Sequence, residues 1–324
     1  MTGGAGFIGS AVVWELNRRG LKNILIADFL GDDLKWKNLV PLQFADYIEA
    51  DDLLQKLEQS PHAFSNINTV FHLGACSSTT ETDAAYLIRN NFEYTKTMAL
   101  FALEAGRRFV YASSAATYGG LEASLPESVA LESLRPLNMY GYSKHLFDCY
   151  AERTGLLPRL TGIKYFNVFG PNEYHKGEMR SLVHKAFYQI QEKGSVSLFK
   201  SCRPEFPDGG QKRDFLYVKD AVAATLFLAE KVDGGGLFNI GSGEPNTWIS
   251  LTNAIFSALN REPKIEFIDM PEHLRDKYQY FTCANIGKLR SAGFDQPITA
   301  LPQAVRDYVV NYLAPELHLG DERT

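Results

Sequence analysis

The stretch that decides the fold is the first ten residues, Met1 to Ser10, MTGGAGFIGS. Glycines 4, 6 and 9 fit G-x-G-x-x-G, and glycines 3, 6 and 9 fit G-x-x-G-x-x-G. Such a run cradles a pyrophosphate when it leaves the end of a β-strand and opens a helix, because backbone N–H groups and the positive helix end then face the anion. The helix is expected, since Ala11–Arg19 carries a helical apolar pattern. The strand is not: Met1 and Thr2 alone precede the glycines. The reading is therefore a dinucleotide loop whose first strand is truncated or missing, with a start site placed too late favoured over a real truncation. An open central slot leaves neighbouring backbone groups unpaired.

Working outward, short β-rich runs alternate with longer helical patterns, the mark of a parallel sheet covered by helices on both faces. Expected strands are Ile24–Ala27, Leu42–Phe44, Thr69–Leu73, Arg108–Ala112 and Leu160–Tyr165. Expected helices are Ala11–Arg19, Ala50–Gln59, Ala84–Glu104 and Tyr140–Thr154. NILIAD and NTVFHLG are near-continuous apolar runs, as in strands buried on both faces. After Asn167, polar loops such as GPNEYHKGEM and SCRPEFPDGGQ interrupt shorter elements, and FNIGSG and KIEFIDM read as further strands. The fold class is thus α/β, a Rossmann-type doubly wound parallel sheet with a smaller C-terminal α/β substrate lobe. Residues 1–166 form the NAD(P)-binding domain, about 213–241 return to it, and 167–324 build mainly the lobe.

The composition excludes several functions. A net charge of −5 over 324 residues argues against nucleic acid as the partner. No apolar run approaches the ~18 residues of a membrane span. Cysteines 76, 149, 202 and 283 lie far apart with no C-x-x-C pair, so a disulfide framework or metal site is not expected and a cytoplasmic setting fits.

Asp28 closes the NILIAD strand, 19 residues after Gly9, where a Rossmann unit places the carboxylate that binds the adenosine ribose. That residue favours NAD. Lys35, with Lys37 nearby, could pair with a 2′-phosphate and favours NADP. Asp46 in FADY is a candidate partner for the adenine amino group, and the small residues after His72 allow close backbone approach.

In YGYSK, Tyr140 and Lys144 stand at i and i+4, so phenol and ammonium share one helix face. A neighbouring cation lowers a phenol's pKa and makes it a usable acid/base. Tyr142, two residues on, points elsewhere. Upstream, YASSAATYGG places Ser113, Ser114 and Thr117 at the carboxyl end of a strand, where open α/β sheets bind ligands.

TGGAGFIGS, Asp28, HLGACSSTTE, YASSAATYGG, YGYSK, KYFNVFGP, KRDFLYVKDA and FNIGSG, in that order, resemble the extended short-chain dehydrogenase/reductase superfamily. Within it, GACSSTTE, NMYGYSKHLFD, YFNVFGPNEYHKGEM and KYQYFT are similar to the ADP-L-glycero-D-manno-heptose 6-epimerase family. The resemblance implies an isomerase with tightly held NADP (NAD being possible) that inverts C6 of an ADP-heptose, for the inner core of lipopolysaccharide. It implies a homo-oligomer, pentameric in the family. Its catalytic group maps onto Tyr140, Lys176, Lys144 and Ser114. Its cofactor contacts map onto Gly3, Gly6, Phe7, Ile8, Gly9, Asp28, Phe29, Lys35, Leu73, Gly74, Ala75, Cys76, Ser77, Asn90 and Val168, together with Tyr140, Lys144 and Lys176. Substrate contacts map onto Ser114, Asn167, Glu178, Lys185, Phe199, Lys200, Ser201, Arg213 and Tyr278. From spacing alone Lys176 reads as a solvated loop lysine, and Arg213 reads either as a diphosphate clamp or as an ion-pair partner of Asp214 or another carboxylate. Two other readings stay open: a nucleotide-sugar 4-epimerase or dehydratase of the same superfamily, and a catalytically silent NADP-binding sensor or scaffold.

Overall fold

A computed structural model describes residues 1–321 apart from 233, 276 and 277. Four parallel strands, Thr69–His72, Arg108–Ser114, Thr161–Tyr165 and Gly236–Ile240, hydrogen-bond in that order. A parallel pair, Leu25–Asp28 and Asp46–Glu49, continues the sheet beyond Thr69–His72. The join is Thr2, which bridges Ala27 on one side and His72 on the other.

Of the two expectations for the first strand, truncated or missing, the structure shows a truncated one, reduced to the Thr2 bridge. Thr2 donates to the Phe71 carbonyl at 2.9 Å and accepts from Leu73 N at 3.2 Å. Gly3 N donates to the Ala27 carbonyl and Ala27 N to the Met1 carbonyl, both at 2.8 Å. Met1–Gly3 therefore fill the carboxyl end of the central slot, and three residues suffice because a central parallel strand bonds to both neighbours. Below them the slot remains a groove lined by Met1, Leu25, Phe64, Ile67 and Thr69.

The helices differ instructively from expectation. The first runs Phe7–Arg18 and starts within the glycine loop. The run expected as one helix over Ala84–Glu104 is divided into Ala84–Leu87, a π turn at Ile88–Glu93, and Tyr94–Glu104. The wide turn delivers Asn91, which is fully buried and hydrogen-bonded across to other elements. Leu42–Phe44 is loop, and the strand there is Asp46–Glu49: Leu42 is buried as a core side chain without joining the ladder.

Beyond Tyr165 a second group of strands forms. Lys212–Tyr217 pairs in parallel with Asn167–Phe169 and antiparallel with Pro245–Thr247. Val196–Phe199 pairs with Ile265–Ile268. One apolar cluster runs through both groups, from Ala5 and Val12 beside the glycine loop to Phe215, Ile255 and Tyr308. No helix among the described residues is long and apolar enough to cross a membrane.

Candidate active site

The Phe7–Arg18 helix begins at Gly6 with no side-chain cap and no acid in its first turn, leaving its N–H groups to a ligand. The backbone around it is as close as a phosphate loop requires. A Cβ on Gly9 would sit 1.9 Å from the Gly3 carbonyl oxygen, and one on Gly3 (φ +69°) would sit 2.4 Å from Gly74 N. Only glycine permits that packing.

Asp28 is buried at the end of its strand, and its carboxylate accepts from Ala5 N and Phe29 N, both at 2.8 Å. Lys35 Nζ lies 3.2 Å from the same carboxylate. Gly3, Asp28, Lys35 and Gly74–Cys76 line two adjoining cavities of about 730 and 380 Å³. The larger is completed by Ala50, Asp51, Arg89, Asn90 and Tyr94 among others, the smaller by Gly6–Gly9, Leu73, Ser77, Ser78 and Lys176. An elongated cleft with uncapped N–H donors in its floor and a carboxylate in its wall fits a dinucleotide. Phe29 is half-exposed at the rim. Val168 lies on the Asn167–Phe169 strand, paired with Leu216. Asp46 is displaced from this cleft: it pairs with Leu25, at the opposite end of its strand from Asp28. Asp51, five residues on, lines the cleft instead, along with Asp28 and Glu93.

Tyr140 and Lys144 stand on the Met139–Arg153 helix, which Asn138 caps by accepting from Gly141 N at 2.8 Å. Gly141 lets the helix start press against the turn after Ser114, since a Cβ there would meet the Ala116 carbonyl at 2.8 Å. Ser114 stands beside the Tyr140 hydroxyl. Burial raises the Tyr140 pKa, and Ser114 offsets this in part. The expectation that Lys144 makes the phenol acidic is therefore corrected, because desolvation dominates and keeps Tyr140 a proton-bearing group. Burial also lowers the Lys144 pKa to about 8, opposed by the charges of Asp148 and Cys76. Ser113 and Thr117 face away into a buried polar network, leaving Ser114 as the hydroxyl at Tyr140. Tyr142 is exposed, as its spacing requires.

Lys176 is no solvated loop lysine. Its Nζ lies 5.0 Å over the Phe7 ring, against the glycine loop, and burial lowers its pKa while Glu173 opposes the shift. Glu173, itself fully buried, accepts from Ser181 Oγ at 2.6 Å and Ser181 N at 2.5 Å and so closes the loop that carries the lysine.

The substrate candidates fall into two groups. Glu178 and Lys185 meet each other at 3.2 Å on the outer rim. Phe199, Arg213 and Tyr278 gather around Trp248: the Arg213 guanidinium lies 5.1 Å from the Tyr278 ring and 5.7 Å from Trp248, and the Phe199 and Tyr278 rings are 6.5 Å apart. Arg213 donates to the Lys212 and Gln279 carbonyls. The Asp214 alternative is overturned, because that carboxylate turns to Ser242, Gly243 and Ala284. Lys200 meets Asp269 at 3.0 Å on the surface, and Ser201 N donates to Asp208. Asn167 accepts from Thr282. Lys277 of the KYQYFT stretch lies outside the described residues.

Three buried polar residues that shape the site escaped the motif reading. Asn91 holds the backbone N and O of Cys76 at 2.9 and 3.0 Å and donates to Ser143 between Tyr140 and Lys144. Asn38 donates to the carbonyls of Ala5 and Asn172, tying the glycine loop to the Lys176 loop. Asp148 is the third. Asn91, beside Arg89, Asn90 and Glu93, and Asn38, beside Lys37, read as ordinary surface polar residues in sequence; Asp148 stands at i+4 from Lys144, a spacing that could have been read.

A model of the NAD dependent epimerase/dehydratase family matches residues 1–241. An ADP-L-glycero-D-manno-heptose-6-epimerase of Nitratidesulfovibrio vulgaris strain Hildenborough is 49% identical over 315 residues, 97% of each chain. One from Fusobacterium nucleatum is 45% identical over 326 residues, 98% of each. The Helicobacter pylori enzyme of that name superposes with a TM-score of 0.81 at 24% identity, covering 96% of this chain and 94% of its own. Geometry and likeness agree, and the chain belongs to the NAD dependent epimerase/dehydratase family.

Proposed function

We propose that this protein interconverts the C6 epimers of an ADP-glycero-manno-heptose, using a bound nicotinamide dinucleotide, with NADP the favoured form. The names of its near-half-identical relatives support the substrate. The observation that carries the chemistry is a pair of half-buried proton-handling groups at one cleft: Lys176 lines it against Phe7 of the glycine loop, and Tyr140, beside Ser114, stands near Cys76, which lines it too.

C6 of the sugar bears no acidic hydrogen, so deprotonation alone does not invert it. The bound nicotinamide supplies a hydride acceptor and, in reverse, a hydride donor. Gly3–Gly9 and Asp28 hold the dinucleotide, and Lys35 beside Asp28 supports a 2′-phosphate. Oxidation of the C6 hydroxyl requires a base for its proton, and return from the opposite face of the planar ketone requires an acid there. Tyr140 and Lys176 take these two positions. Ser114 holds the sugar oxygen at Tyr140, and Lys144 keeps a positive charge next to the phenol below about pH 8. Arg213, backed by Tyr278 and Trp248, binds the diphosphate.

A dehydratase would need a carboxylic acid where Thr117 stands, and Thr117 is fully buried and committed to Lys164 and the Ser114 carbonyl. The test is isotopic. ADP-heptose carrying deuterium at C6 should epimerise with the label retained at C6, because one hydride leaves and returns. Washout of the label into solvent would contradict the oxidation–reduction route.

A further inference from the structure

Beneath Tyr140 and Lys144 lies a polar cluster that neither the cleft nor the substrate side uses. Asp148, fully buried, stands one turn beyond Lys144 on the same helix. Its carboxylate accepts from Tyr111 Oη at 2.9 Å and from Ser113 Oγ at 2.7 Å, both on the strand that ends in Ser114. Lys164, on the next strand and equally buried, places Nζ 3.8 Å from the carboxylate. The same Nζ donates to Thr117 Oγ1 at 2.8 Å, and Thr117 donates to the Ser114 carbonyl at 2.8 Å. The Tyr118 ring lies 4.3 Å from Lys164 Nζ.

We propose that Asp148 is a positioning residue of the proton-transfer site. Its carboxylate ties the helix that carries Tyr140 and Lys144 to the strand that carries Ser114, and its charge is shared between two buried ammonium groups, Lys144 and Lys164. This rests on the reading of Tyr140 and Lys144 as the acid/base pair.

The geometry makes a division of roles. Tyr111 and Ser113 fix the carboxylate, so the helix cannot slide along the strand without breaking two buried hydrogen bonds. Lys164 reaches the turn after Ser114 through Thr117, so strand end and helix are held by one connected network. The carboxylate then bears on Lys144, whose other charged or titratable neighbours are Tyr140 on its own helix, Cys76 from the loop after Thr69–His72, and His72 on that strand. Around the pair stand His145 and Cys149 on the helix, Tyr111 on the strand, and Glu127, whose charge acts on Lys164. The negative charge of Asp148 favours the protonated form of Lys144 against burial, while the charge of Lys164 competes for it.

The sign gives the test. In protein purified with its cofactor and labelled at lysine Cε, the Lys144 titration is followed by NMR, assigned with Lys144→Arg. Lys164→Met frees the whole carboxylate for Lys144 and should raise its titration midpoint. Asp148→Asn should lower it by about one unit. If that variant leaves Lys164 too poorly compensated to fold, Asp148→Asn/Lys164→Met removes both charges and should titrate below Lys164→Met. In active protein the alkaline limb of the kcat profile should move the same way, with KM little changed. An unmoved Lys144 midpoint in Lys164→Met and in the double variant overturns the proposal. Shifted midpoints in a protein that never epimerises ADP-heptose uphold the coupling and sink the functional reading instead.

Discussion

At the scale of single residues, the site depends on side chains whose surroundings contradict their sequence context. Lys176 stands in GPNEYHKGEM, a stretch rich in residues that favour solvent, and nothing in its spacing marks it. The structure lays it across Phe7 because Glu173 closes the loop onto Ser181 and Asn38 ties Asn172 to Ala5. Motif likeness singled out this lysine and local pattern did not, because the contacts that bring it to the glycine loop join residues far apart in sequence. Tyr140, Lys144 and Ser114 were legible from i, i+4 spacing and from a hydroxyl at a strand end. The direction of the Tyr140 pKa was not legible, since it depends on desolvation. Lys176→Met should therefore reduce epimerase turnover at least about a hundredfold, the lower range for loss of a general acid/base group. The bound cofactor should stay stoichiometric by absorbance and mass spectrometry, because the glycine loop and Asp28 remain. Near-normal turnover in this variant would remove Lys176 from the mechanism.

At the scale of elements, strand and helix positions followed from apolar runs and periodicity, and the misses have physical causes. Leu42–Phe44 carries the apolar residues of a strand, yet Leu42 is buried from a loop and the ladder starts at Asp46. That four-residue shift also moved the acidic cleft residue from Asp46 to Asp51. The interruption of the Ala84–Glu104 helix by a π turn has no signature in periodicity; it exists to bring Asn91 under Cys76. The central slot is the sharpest case. Met1–Gly3 close its carboxyl end by hydrogen bonds to both neighbours, so the glycine loop is anchored. The groove beneath, between Leu25 and Thr69, is lined by apolar side chains such as Met1, Phe64, Ile67 and Phe71, with Asn66, Asn68 and Lys56 among its polar ones. A few β-branched residues placed ahead of Met1 should enter it, each cross-strand contact contributing about 0.2–1 kcal/mol. Thermal unfolding should then shift upward by several degrees relative to the unextended protein. An unchanged midpoint would show that the groove does not take a strand.

At the scale of the whole molecule, two strand groups share one apolar core and place the dinucleotide cleft at the carboxyl end of the parallel sheet. Open α/β sheets bind ligands there for a topological reason: loops leave that edge in opposite directions and open a crevice. The glycine loop, the Ser114 turn and the loop carrying Lys176 follow three different strands, and only the fold brings them together. That convergence distinguishes an epimerase, which must handle a proton on two sides of one carbon, from a protein that only holds a dinucleotide. The measurement that bears on this most directly is incubation of the purified protein, with its co-purified cofactor, with ADP-D-glycero-D-manno-heptose, followed by NMR of the heptose. Conversion to the L-glycero epimer, with no net accumulation of reduced cofactor, is the expected result. Release of reduced cofactor without the epimer, or an unchanged sugar alongside stoichiometric bound cofactor, would contradict it.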